Sequence, residues 1–206
     1  MDKRDELLLQ IKNELVELRQ SPLYKFRLAN KSFPVIGEGS HQAAIMFVGE
    51  APGKNEAATG RPFCGASGNV LTKMIEHVGM KREDVYITNI VKDRPPDNRD
   101  PSPEEIELYS PFLDRQIDIL QPKVIATLGR YSMAYIMNKF GLAGELFDTA
   151  QSKLKTISQI HGKMFGAKTS YGEIKIITLY HPAVALYNRG MREQLFKDFE
   201  IVKSFV

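Results

Sequence analysis

Three segments of this 206-residue chain place a chemically capable residue at or near the end of an apolar run. Gly49-Glu50-Ala51-Pro52-Gly53 is a glycine-rich turn whose backbone N–H groups are available to a carbonyl or an anion, with a carboxylate inside it. Asn89 closes an otherwise apolar stretch with an amide that offers one acceptor and two donors. His181, followed by Pro182, supplies an imidazole able to donate toward developing negative charge. Between the first two segments, Gly60-Arg61-Pro62-Phe63 adds an aromatic platform and a cation. Gly65-Ala66-Ser67-Gly68 then precedes a helical pattern, where a helix N-terminus can hold a phosphate and Ser67 is a candidate cap. Arg94 and Arg99, with Arg189 and Arg192 further on, are candidate contacts to a polyanionic backbone.

Taken singly, each of these has a plainer reading: a tight turn, a strand-end residue, a structural histidine, a core ring, solvated charges. The glycine turn has neither the Gly-Lys-Ser/Thr of a nucleotide-triphosphate loop nor the G-x-G-x-x-G of a dinucleotide fold. His41, His77 and His161 show no convergence, and no set of His, Cys, Asp and Glu has metal-ligand spacing, so no metal site is expected.

The elements that must position these residues follow from the apolar pattern. Ala43–Val48, Val85–Val91, Lys123–Leu128 and Ile174–Leu179 read as buried strands. Helical spacing covers about Asp5–Arg19 through Leu8, Ile11, Leu15 and Leu18, then about Asn69–Val78, Pro103–Leu120 and Arg130–Lys139. Strands alternating with helices predict an α/β fold, a three-layer αβα sandwich around a mostly parallel four-stranded sheet. Polar, glycine- and proline-rich loops follow the carboxyl ends of three of those strands, where open α/β sheets bind ligands, so Glu50, Asn89 and His181 are expected to converge.

Length and composition bound the rest. The chain suits one domain over residues 1–206, with 43% hydrophobic residues and no repeat or low-complexity tract. A net charge of +3 is compatible with a nucleic-acid partner without establishing one. The single cysteine, Cys64, excludes an internal disulfide. No apolar run approaches the ~20 residues of a membrane span, and the charged, amphipathic N-terminus is unlike a signal peptide, so a cytoplasmic protein is expected.

In order and spacing, Gly49-Glu50-Ala51-Pro52-Gly53 with Glu56, Gly60-Arg61-Pro62-Phe63, Tyr86-Ile87-Thr88-Asn89, Arg94-Pro95-Pro96 with Asn98-Arg99, Pro122–Ile125 with Leu128-Gly129, and His181-Pro182-Ala183 resemble the uracil-DNA glycosylase superfamily, specifically its bacterial and archaeal family 4. The resemblance implies a single-domain, monomeric enzyme that flips uracil from DNA and hydrolyses its N-glycosidic bond. It further implies that uracil stacks on Phe63, that Asn89 reads O4 and N3–H, and that amides around Glu50 and Ala51 hold the base. His181 would support the charge growing on O2, and Glu50 and Glu56 would orient water or stabilise the sugar cation. Ser67, Arg94, Arg99, Leu186 and Arg189 are the expected DNA contacts. Ala51 stands where another branch carries a catalytic aspartate. No lysine is evident beside the matching motifs, which implies release without a Schiff base.

Two departures stand out. Family 4 proteins hold an iron–sulfur cluster on four cysteines, and the matching positions here are Leu18, Ser21, Asp93 and Tyr109, so no cofactor is expected. The leucine that wedges into the duplex is matched by Ala185, which leaves Leu186, Val184 or Tyr187 to take over. Two rival readings are a glycosylase acting mainly on another deaminated base, such as hypoxanthine, and a DNA-binding relative without catalysis. Retention of Glu50, Glu56, Asn89 and His181 together argues against the second.

Overall fold

The computed structural model describes residues 2–148 and 153–205. Its centre is a six-stranded sheet with order β1-β3-β2-β4-β8-β7, formed by β1 (Glu38–Gly39), β2 (Ile45–Gly49), β3 (Tyr86–Asn89), β4 (Val124–Leu128), β7 (Lys163–Thr169) and β8 (Gly172–Leu179). A separate two-residue ladder pairs β5 (Phe147–Asp148) with β6 (Lys153–Leu154). Strands β3, β2, β4 and β8 are mutually parallel and are the four that the apolar runs predict. The sheet is wider than expected because β1 and β7 add antiparallel edges. Most of β7 is exposed or half-exposed, so it carries no continuous apolar run, and it enters the sheet by hairpin pairing with β8.

The central strands are apolar throughout because both their faces are covered. Along β2, Met46 and Val48 pack toward α1 (Lys3–Val16), α5 (Pro103–Leu120) and α6 (Arg130–Lys139). The alternate residues Ile45 and Phe47 pack toward α4 (Ala66–His77) and α9 (Arg192–Phe199), where Phe47 stacks on Phe199 with centroids 5.4 Å apart. Helices on both faces of a mostly parallel sheet make the expected three layers. Helix α5 starts where its sequence says it should: Ser102 accepts from the Glu105 N–H, Glu105 accepts from the Ser102 N–H, and Pro103 fills the first turn. The α4 start differs from expectation. Gly65 is its cap, and Ser67 lies inside the first turn. Short helices α2 (Tyr24–Ala29), α3 (Lys54–Thr59), α7 (Ile157–Ile160) and α8 (Val184–Tyr187) lie in the connections. No helix among the described residues is long and apolar enough to cross a membrane.

One corner of the molecule is polar and buried. The hydroxyls of Ser21 and Tyr109 lie 2.6 Å apart, and Tyr109 donates to Asp93 at 2.6 Å. Arg27 donates to both Asp93 oxygens at 3.1 and 2.9 Å, and also to the Leu15 and Val16 carbonyls at the end of α1. Leu18 is buried beside them. Burial pushes the Asp93 carboxyl upward, and the Tyr109 hydroxyl and Arg27 guanidinium pull it back. Three of the four positions that match the cluster cysteines are thus bonded to one another, and the fourth is aliphatic. A thiolate-ligated cluster does not fit this donor set.

Candidate active site

Strands β3 and β4 lie on opposite sides of β2, so the chain reverses direction across the sheet at the β2 carboxyl end. A crevice forms at such a switch point. Here it is a cavity of about 190 Å³ walled by Ala51 and Gly53 from the turn after β2, Glu56 from α3, Phe63, Ser67 from α4, Asn89 from β3, Asn98 and His181. Six residues singled out in the sequence meet there: Ala51, Glu56, Phe63, Ser67, Asn89 and His181. A broader groove of about 320 Å³ lies alongside, with Ala66, Lys73, Leu186 and Arg192 among its walls.

Gly49 and Asn89 are register partners on β2 and β3. The Phe63 ring lies over Gly49, and Gly68 meets the Phe63 backbone so closely that a Cβ there would fall 1.8 Å from the Phe63 carbonyl oxygen. Phe63 itself has φ 46°, a left-handed conformation unusual for an aromatic residue and characteristic of functional sites. The sequence thus spends two glycines to seat one ring, which is why Gly49 matters although it carries no chemistry.

Asn89 is 1% exposed, and among the described residues its Oδ1 is a buried acceptor with no hydrogen-bond partner. Leaving a buried carbonyl unsatisfied costs ~1–3 kcal/mol, so a ligand that brings an N–H to it gains correspondingly. His181 sits 5.6 Å from the Phe63 ring, centroid to centroid. Its Nδ1 accepts from the Ala183 N–H at 3.2 Å, and burial lowers its pKa to about 4, with Glu56 pulling in the opposite direction. The ring is therefore neutral near pH 7. With Nδ1 an acceptor, the proton resides on Nε2, which is the donor left for a substrate oxygen.

Glu56 is buried, and its Oε1 accepts from the Cys64 and Gly65 N–H groups at 3.2 and 3.1 Å. Its Oε2 lies over Gly53, where a Cβ would meet it at 2.8 Å. Glu50 is not part of the cavity wall. Burial, then the charge of Asp100, raise its pKa to about 7, and Arg130 opposes them. Arg130, in turn, is paired with Asp100.

The expected DNA contacts are more dispersed. Arg94 donates to Asn98 Oδ1 at 2.7 Å, and Arg99 forks onto both oxygens of the buried Glu105 at 2.9 and 2.6 Å, so both arginines brace the loop after β3. Asp97 and Asn98 adopt left-handed φ of 55° and 53° in succession. Asx residues tolerate that conformation, so two of them directly after Pro95-Pro96 mark a tight reversal that brings Asn98 to the cavity. Leu186 is 43% exposed and Tyr187 88%, whereas Val184 and Ala185 pack on the core. Leu186 and Tyr187 are thus the apolar side chains presented outward beside the exposed Arg189.

A model of the uracil DNA glycosylase superfamily matches residues 36–201. The chain is 46% identical to a type-4 uracil-DNA glycosylase of Sulfurisphaera tokodaii, over 96% of this chain and 84% of that protein. It is 42% identical to the type-4 enzyme of Archaeoglobus fulgidus, over 95% and 91%, and 36% identical to that of Thermotoga maritima, over 100% and 98%.

Proposed function

This chain belongs to the uracil DNA glycosylase superfamily, and from that membership we propose how its residues release uracil from DNA. It is a monofunctional hydrolase of the N-glycosidic bond and initiates base excision repair. The observation that carries the residue-level reading is the orphaned Asn89 Oδ1, facing a base-sized cavity between an aromatic plate and a neutral imidazole.

Uracil is extruded from the helix at a cost of a few kcal/mol and stacks on Phe63. Its N3–H donates to Asn89 Oδ1, and the Asn89 amide nitrogen donates to O4. As the bond from N1 to C1′ lengthens, electron density moves onto the ring and its O2, where His181 Nε2–H donates. Fixed donors aimed at developing charge are the largest single contribution available to such a site. The Glu56 carboxylate faces the sugar that becomes cationic, and water adds at C1′ with loss of its proton. Glu50, next to Ala51 in the turn after β2, accepts that proton when ionised. Ala51 and its neighbouring amides border the base, and Ser67 on the first turn of α4 meets the phosphate beside it. Leu186 fills the gap in the duplex, Arg189 and Arg94 meet the DNA backbone, and Arg99 holds the loop that carries Asn98.

The protein works without an iron–sulfur cluster, as a single-domain monomer in the cytoplasm. The Ser21–Tyr109–Asp93–Arg27 network supports the first part of that reading. The decisive experiment incubates the protein with oligonucleotides carrying one uracil, hypoxanthine or thymine, followed by alkaline cleavage. Strand scission at uracil alone is expected, and intact uracil strands would overturn the assignment. Borohydride added during turnover should trap no protein–DNA adduct, because among the described residues no lysine lines the cavity.

A further inference from the structure

Lys92 is fully buried, three residues beyond Asn89, and no part of its side chain reaches the cavity. Its Nζ donates to the Asn89 backbone carbonyl at 2.7 Å, to Thr88 Oγ1 at 2.7 Å and to Gln116 Oε1 at 2.5 Å. Gln116, on α5, turns its amide nitrogen to the Ile36 carbonyl at 2.9 Å and to the Tyr86 hydroxyl at 3.1 Å. Thr88 donates to that same Ile36 carbonyl at 2.6 Å. Every polar atom in this cluster is engaged, and none of its members is a carboxylate.

An amine without a counter-ion is expensive to bury, and apolar residues of similar volume would fill the same space at less cost. A generic core would therefore have no lysine here. Its contacts indicate what it does. The carbonyl it holds belongs to the residue whose side chain reads the base, at the end of β3 where the next residue already leaves the strand. Thr88 and Gln116 fix Nζ from the α5 side of the sheet, opposite the cavity.

We propose that Lys92 is the positioning residue for base recognition: by clamping the Asn89 carbonyl to Thr88 and α5, it holds the Asn89 amide in the orientation that accepts uracil N3–H. The inference rests on the reading of Asn89 given above. Without the clamp, the strand end gains freedom and the amide can present either edge. Uracil then loses its advantage over cytosine, whose N3 and exocyclic amine reverse the donor–acceptor order.

The test compares the parent with Lys92→Met in single-turnover release from uracil and cytosine oligonucleotides. Affinity for an abasic-site duplex is measured alongside. Lys92→Met should lower the uracil rate constant at least tenfold, narrow the uracil-over-cytosine ratio and leave abasic-DNA affinity within twofold. In an Asn89→Ala background the same substitution should have no further effect. If Lys92→Met fails to fold, Lys92→Met with Gln116→Leu replaces the polar pair by apolar volume and carries the same expectation. Should that also fail, Thr88→Val removes one anchor at constant shape and should give a partial loss with the same change in ratio. A folded variant with parental rate and ratio, or an equal loss in the Asn89→Ala background, would overturn the proposal. If Asn89→Ala alone leaves uracil release unchanged, the reading of Asn89 fails instead, and the two failures are distinguished.

Discussion

Gly49 and Asn89 lie side by side on neighbouring parallel strands, so close that a Cβ on Gly49 would stand 2.3 Å from Asn89 Oδ1 and 2.7 Å from the Phe63 ring. One methyl group therefore collides with both the base-reading amide and the stacking plate. Gly49→Ala should fold, because the clash falls on side chains and not on the sheet's own hydrogen bonds. Its single-turnover uracil release should nevertheless drop by about a hundredfold, the scale expected when reacting groups shift by ~1 Å. A rate within threefold of the parent would show that the pair tolerates displacement.

Asn89→Asp tests the edge-reading directly. Once ionised, the carboxylate has no donor left for uracil O4, whereas a protonated carboxyl can place its O–H opposite cytosine N3 and its carbonyl opposite the exocyclic amine. Uracil release should fall by roughly ten- to a hundredfold, corresponding to an unmatched buried group worth ~1–3 kcal/mol, with weak cytosine release appearing. Unchanged uracil kinetics would remove Asn89 from the site.

The pH profile should carry the signature of Glu50. Burial and Asp100 raise its pKa from 4.5 to about 7, so the ionised form needed to accept a proton accumulates only above neutrality. The rate should climb as pH rises through about 7, and Glu50→Gln should be slower and lack that limb. The stability effect has the opposite sense. The folded carboxyl binds its proton more tightly than the unfolded chain does, so its stabilisation is complete below about 4.5 and lost as pH rises through about 7. Denaturant titrations of parent and Glu50→Gln should diverge over that interval. His181, lowered to about 4, is already neutral where the Glu50 limb rises near pH 7.

The buried network around Asp93 yields a third kind of measurement. Asp93→Asn leaves the 4%-exposed Arg27 without its counter-charge, and breaking a buried pair in this way costs ~3–5 kcal/mol. Tyr109→Phe, which removes only the hydroxyl, should cost ~1–3 kcal/mol. Urea unfolding resolves the two. Protein purified anaerobically should contain neither iron nor sulfide in stoichiometric amount while remaining active. Activity that required cluster reconstitution would contradict the assignment.

The sequence signals differ in strength for physical reasons. The four parallel strands are legible because burial on both faces leaves uninterrupted apolar runs such as Ile45–Val48, and α5 because its cap and proline are local features. Edge strand β7 is not, since one side meets solvent and its partner supplies the pairing. At the site, Asn89, Phe63 and His181 were identifiable from residue type at strand ends and in loops. Asn98 depends on two successive left-handed residues, and the burial of Lys92 depends on α5, which is remote in sequence. Ser21, Asp93 and Tyr109 were recognisable as departures from a cysteine pattern. That they bond to one another, with Arg27 as the fourth member, spans 88 positions and is written in no local motif.

A corner joined by Ser21, Tyr109, Asp93 and Arg27 is finished when the chain folds, from atoms the ribosome has already supplied. Those bonds form without any delivery of iron or sulfide. On the cluster-free reading proposed above, assembly of this corner is independent of the iron supply.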